Sequence, residues 1–355
     1  MNTIATLTEF IESGGLSLDF SDMGRRVSSL PREQFVAFEN AEIPYPLPLQ
    51  QQAWFALTLA DPAQRQIDPM IWFIRFPLDE QGKLSWSARD DFMHHLVESL
   101  GSKPDTDGME TALQNNPYAF QPKQERLAIF HARLTRDLNK PVSRFYDHAK
   151  AYFDGDLGWE QWSFIGYQGI ADLAARLDQQ GNTQRIAKSI PSLPPSPLEA
   201  LCLCLENEVI PQTIANALAQ RGLSNLQQDM PNPQVLSAVV RGLSQSSKTA
   251  IRDDFIHRLL DHSISHRCDL LAAIAGRAWE ALEDSAIRHR FLEQLADNEE
   301  GQGFFNGILS DLLYLPATRQ AMQANLRDPL RTERLSRVIG TFFSQIRGEE
   351  RREPR

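Results

Sequence analysis

The sequence predicts an α+β N-terminal region with a small antiparallel sheet. An all-α region follows it, either a HEAT-like helical-hairpin solenoid or an irregular helical bundle. Three observations carry this. Two apolar runs of strand length, Trp54–Ala60 and Met70–Phe76, stand in the first hundred residues. From Pro122 onward apolar residues recur at helical spacing, and no convincing strand pattern stands among them. Beyond residue 197, helical segments begin near Leu198, Pro211, Pro233, Lys248, Arg267, Ser285, Gln302, Ala317 and Arg331. These starts lie about 17 residues apart, so a two-helix unit would repeat at about 33.

Taken in order, Ile4, Leu7, Phe10 and Ile11 fall on one face of a short helix that Ser13-Gly14-Gly15 ends. Leu16–Phe20 alternates apolar and polar residues, the period of a half-buried strand. Pro31 opens a helix with Phe35, Val36 and Phe38 inward and Glu33 and Glu39 outward. Pro44, Pro46 and Pro48 impose an extended passage, because each disfavours the helical region for the residue before it. The two strands that follow are joined by the loop Asp61–Pro69. Ser85 or Ser87 caps a helix running through Phe92, Leu96 and Leu100 to a stop at Gly101. Five of the six tryptophans precede residue 163, which places the bulkiest core residues in the first half.

Pro122 starts a helix with Leu127, Phe130, Leu134 and Leu138 at helical spacing, and Asn139-Lys140-Pro141 ends it. Asp154-Gly155-Asp156 and Gly158 break the chain again before Trp159, Trp162 and Phe164. The stretch Pro191–Pro197 reads as a linker. The expected organisation is therefore a small α+β domain over residues 1–105, a helical connecting region over 106–190, and a repeat-like helical domain over 198–355. Ala217–Leu223 resembles Ala238–Leu243, a self-similarity that composition alone also produces.

The 355 residues are 42% hydrophobic and 23% charged, as in ordinary globular proteins. A net charge of −10 argues against a protein that grips nucleic-acid phosphates. Three cysteines, Cys202, Cys204 and Cys268, make no disulfide framework and fit a reducing cytoplasm. The N-terminus lacks a basic and then apolar leader, and Arg25-Arg26 is not followed by the apolar run a twin-arginine signal needs. No stretch approaches the roughly 18 apolar residues of a membrane span. A cytoplasmic chain without membrane insertion is expected.

Motif chemistry is sparse. Gly-x-Ser-x-Gly, His-Glu-x-x-His and Gly-Lys-Ser/Thr are absent from the sequence. Gly301–Gly307 has the spacing of a dinucleotide loop, but the acidic pair Glu299-Glu300 precedes it and a helix stands where a strand is required, so it reads as an inter-helix turn. His257, His262, His266 and Cys268 are the densest set of metal-ligand types, yet helical spacing turns His257 away from the others. His94-His95 diverge by about 100° on a helix, and Cys202 and Cys204 point apart as core fillers. Asp79-Glu80-Gln81-Gly82 matches a type I turn, with Asp first and Gly last, better than a catalytic carboxylate pair. Asp90 and Asp91 suit the first turns of a helix, where negative charge complements the dipole. Catalytic, cofactor-binding and metal residues are therefore not assigned.

Near the C-terminus, Leu335, Val338, Ile339, Phe342, Phe343 and Ile346 form an apolar helical stripe. Arg327, Arg331 and Arg334 line a separate face, with Arg347, Arg351, Arg352 and Arg355 after them. This face is either a solvated cap or a contact for an acidic protein partner.

The opening Met1–Phe10, the segment Gly24-Arg25-Arg26-Val27, and Phe76–Gly82 resemble a functionally uncharacterised bacterial family, the domain of unknown function numbered 3549. Its Leu-Asp-Glu motif corresponds to Leu78-Asp79-Glu80. The resemblance covers essentially the whole chain and implies a bacterial cytoplasmic protein. It implies no activity, cofactor or catalytic residue. The function expected from the sequence is a non-enzymatic interaction scaffold or adaptor. The alternative is an enzyme or small-ligand receptor with a pocket beneath Trp54, Trp72 and Trp86.

Overall fold

The computed structural model describes residues 6–63, 67–100, 113 and 116–350. The expected helix stop at Gly101, the boundary at 105–106, residues Gln64-Arg65-Gln66 of the strand connection, Met1–Ala5, and Arg351, Arg352 and Arg355 lie outside the described residues, as do the side chains of Leu100, Ile346 and Arg347. The chain divides into two compact units: residues 1–126 with 314–316, and residues 127–313 with 317–355.

In the first unit, α1 (Leu7–Ser13), β1 (Ser17–Asp22), β2 (Ser28–Leu30), α2 (Arg32–Glu39), β3 (Gln52–Ala60), β4 (Met70–Pro77) and α3 (Trp86–Leu100) follow one another. The four strands make one antiparallel sheet in the order β2-β1-β3-β4. Register explains the burial. Ala53, Phe55, Leu57 and Leu59 alternate on β3 with Trp72, Ile74 and Phe76 across the ladder, and α1, α2 and α3 cover that face with Phe10, Phe35, Phe38 and Phe92. Phe35 stacks on Phe20 at 4.0 Å and meets Phe55 edge-on. On the opposite face Trp54 and Phe73 hold Phe120 edge-on, and Arg75 lies over the Trp54 ring.

Glu39 departs from its expected outward position. It is buried, and its carboxylate accepts hydrogen bonds from the Leu7 and Thr8 amides and from the Thr8 hydroxyl. The orphan N–H groups that open α1 are thus satisfied by the end of α2, with Thr6 capping Glu9 locally. Burial raises the Glu39 carboxyl above its usual range, and the Thr8 and Leu7 donors pull it back.

The second unit contains α5 (Tyr146–Asp154), α6 (Tyr167–Ala175), α7 (Asn182–Ser189), α8 (Pro195–Leu205), α9 (Gln212–Leu226), α10 (Pro233–Leu243), α11 (Thr249–Asp261), α12 (Cys268–Arg277), α13 (Ser285–Ala296), α14 (Gln302–Tyr314), α15 (Pro316–Asn325) and α16 (Glu333–Glu350), all after α4 (Gln124–Asp137). Their starts match the sequence-derived ones within three residues from α8 onward. Among the described residues past Pro122 there is no strand, only an isolated bridge between Ile210 and Ser246.

Alternate helices pack side by side. One layer runs α6, α8, α10, α12, and the other runs α5, α7, α9, α11, α13, with α16 against α13. Apolar residues all round a helix predict an interior position. Leu198, Leu201, Cys202, Cys204 and Leu205 of α8 are buried, as are Val235, Leu236, Ala238, Val239, Val240 and Leu243 of α10. Gly242 lets α10 approach α8, since a Cβ there would stand 2.8 Å from Cys202 Sγ. Pro191–Pro197 is no exposed linker: Ile190 and Leu193 are buried, and Pro194 and Pro195 cap and open α8.

Candidate functional site

Three separated segments converge in the first unit, and Tyr45 joins them. Its hydroxyl donates to Asp22 Oδ1 at 2.8 Å, with the Trp54 carbonyl a second acceptor at 3.1 Å, and its amide donates to the Gly82 carbonyl at 2.8 Å. The extended passage that carries Tyr45 also receives Arg25 Nε on the Pro48 carbonyl at 2.6 Å. Asp22 Oδ2 accepts from the Arg26 amide at 2.9 Å, and Arg126 donates to the Arg25 carbonyl. The Gly24-Arg25-Arg26-Val27 segment is therefore pinned to the proline passage and, through Tyr45, to the Asp79–Gly82 turn.

Electrostatics follow from burial. Asp22 is wholly buried and its carboxyl is pushed up to about 6, with the Arg26 amide and the Tyr45 hydroxyl partly offsetting desolvation. Burial and the neighbouring carboxylate raise the Tyr45 phenol well above its ordinary value, so it acts as a donor and not as a base. Arg25 is 1% exposed and Arg26 7%, which leaves these guanidinium groups no solvent face from which to meet a substrate. The arrangement can hold a fold together, and its one titratable feature near neutrality is Asp22.

The Leu-Asp-Glu segment is a turn. Asp79 Oδ1 accepts from the Gln81 and Lys83 amides at 2.8 Å each, the Gly82 amide donates to the Asp79 carbonyl, and Gly82 sits at φ +82°. Leu78 bridges to Leu84, closing the turn, and Glu80 is exposed. Asp90 pairs with Arg89, and Asp91 accepts from Tyr118. Trp72 points into the core, Trp54 lies on the opposite sheet face, and Trp86 is 52% exposed beneath Arg89, so the three tryptophans do not meet around a pocket.

In the second unit the histidines and cysteine go separate ways. His257 pairs with Asp261, His262 accepts from the Ile264 amide, His266 meets the Ser263 carbonyl, and Cys268 is buried against Asn298. Among the described residues no three His, Cys, Asp or Glu side chains gather as metal ligands. Arg331 donates to the Leu326 carbonyl, Arg334 donates to Ala296 at the end of α13 and pairs with Asp297, and Arg327 is exposed. Leu335, Ile339 and Phe342 of α16 are buried.

The feature that sequence reasoning missed is a groove of about 550 Å³ between α9 and α11. Asn216, Gln220 and Ser224 of α9 and Gln227 at its C-terminal cap line one side, and Ile251 and Asp254 line the other from α11. Gly222 sets the approach of the two helices, because a Cβ there would overlap the Phe255 ring of α11. The four polar side chains, three on α9 and one at its cap, recur at four, four and three residues, but no short motif marks them.

Fold and site together define a protein with a four-stranded antiparallel α+β unit and a two-layer helical unit. The chain belongs to the family described as protein of unknown function (DUF3549), whose model matches residues 2–343. No curated protein and no solved structure matches the chain. Among the described residues no helix is long and apolar enough to cross a membrane.

Proposed function

We propose that the protein is a non-enzymatic interaction scaffold of the bacterial cytoplasm and that its second unit, a HEAT-like stack of helical hairpins, carries the binding surface. The observation that carries this reading is the α9–α11 groove, an open furrow between neighbouring helices of one layer. Stacked helices present long surfaces to partners, and the furrow offers polar side chains beside apolar Ile251. Arg327 and Arg334, both exposed, are secondary contacts for an acidic partner surface.

Site-specific photocrosslinking in cells tests the reading. A photoreactive residue at Gln220 or His257 should yield discrete protein adducts, whereas one at Glu12 or Asp90 in the first unit should not. Adducts confined to the first-unit positions, or none from any position, would contradict it.

A further inference from the structure

The groove has chemistry that selects among partners. Asn216, Gln220, Ser224 and Gln227 are exposed and make no side-chain hydrogen bond among the described residues. Nearby amides are engaged: Asn225 holds the Asn232 amide, Asn232 caps α10, and Asn207 bonds the Leu203 carbonyl. Each free amide offers both donors and acceptors, the pairing a peptide backbone presents. Residues 216, 220 and 224 rise by about 6 Å at each step along the helix, close to the roughly 6.6–6.8 Å two-residue repeat of an extended chain. Among the described lining residues Asp254 alone is charged. Its Oδ2 accepts from Arg258 in an exposed pair, and its Oδ1 has no partner among the described residues. A cation entering the groove would therefore meet an available carboxylate oxygen.

We propose that the α9–α11 groove takes an extended peptide segment of a partner protein, held through its main chain by the α9 polar row and presenting a Lys or Arg side chain to Asp254. The segment adds no strand to a sheet; side-chain amides stand in for a strand edge. This inference rests on the scaffold reading and specifies its ligand.

The test pans a phage-displayed library of random peptides on the full chain, then measures the enriched peptides by fluorescence anisotropy. Enriched sequences should carry Lys or Arg, and N-methylation of alternate backbone amides should abolish binding. The Asn216→Ala/Gln220→Ala/Gln227→Ala variant should bind about tenfold or more weakly, and Asp254→Arg should lose the preference for cationic peptides. All four side chains lie on the surface, so an unchanged melting temperature identifies the loss as one of binding. Absence of enrichment, enrichment of acidic peptides, or equal binding by the triple variant would overturn the groove proposal. Such results would leave the scaffold reading standing if photocrosslinks from the second unit still formed, and that reading fails separately when they do not.

Discussion

The two units bury polar side chains to the same end and differ in the polar groups they leave outside. In the first, Asp22, Arg25, Glu39 and Tyr45 are buried and bind backbone groups distant in sequence, so polarity fixes how loops and helix ends meet. In the second, buried pairs such as Arg176–Asp172 and Arg288–Asn325 do the same work, while the polar row at α9 is exposed and makes no side-chain hydrogen bond among the described residues. A buried polar group must find a partner inside the protein, and an exposed one is available to a partner outside it. The difference teaches that the recognisable short motifs mark architecture here, while the surface suited to binding carries no motif.

The largest expected effect comes from breaking helix spacing in the second unit. Gly222→Val drives a branched side chain into Phe255 and Val239 and should cost about 3 kcal/mol or more, read as a lowered urea midpoint. A midpoint close to wild type would mean that α9 and α11 can separate freely.

Next is the buried carboxyl of the first unit. Asp22→Ala strands the Tyr45 hydroxyl on one long bond and orphans the Arg26 amide, a loss of about 2–3 kcal/mol. Asp22→Asn keeps an acceptor and should stay near wild type. The pH profile sharpens the contrast. The Asp22 carboxyl titrates near 4 when unfolded and at about 6 when folded, so the folded chain holds more protons in that window. Stability should therefore fall as pH rises from about 4 to about 6 and level off above it, a slope that Asp22→Asn reduces. Urea titrations at several pH values measure this, and a wild-type slope of opposite sign in the same window would remove the assignment.

The Asp79 turn is worth less. Asp79→Ala should cost about 1 kcal/mol through two lost amide bonds, and Gly82→Val more, because a β-branched residue resists positive φ. Thermal melts decide, and an Asp79→Ala protein that melts like wild type would show that the turn stands without its side chain. At the small end, Arg327→Glu should change stability by less than about 0.5 kcal/mol, since an exposed charge is screened.

Much of the architecture was legible. Period-two alternation marked β1, apolar runs of strand length marked β3 and β4, the helix starts from α8 onward were found within three residues, and Asp79-Glu80-Gln81-Gly82 announced its turn. What was hidden depended on contacts between distant residues. A glutamate at the end of a helix reads as solvent-exposed unless one knows that α1 begins beside it, and Glu39 does so across 32 residues. Tyr45 is one aromatic in a proline-rich passage until folding brings Asp22 and Gly82 to it. Pro191–Pro197 has linker composition, yet two of its prolines initiate a buried helix. The groove was invisible because it belongs to two helices, and neither alone shows which of its polar residues face the gap.

In the proposed division, the motif residues serve the fold and the motif-free groove serves binding. The most direct measurement sets partner adduct yield against melting temperature for Asp79→Ala and for Asn216→Ala/Gln220→Ala/Gln227→Ala, with the photoreactive residue at His257 in both. Asp79→Ala should melt lower and form wild-type adducts wherever it remains folded, while the groove variant should melt like wild type and form few. A groove variant with full adduct yield, or an Asp79→Ala protein of wild-type stability that forms none, would contradict it.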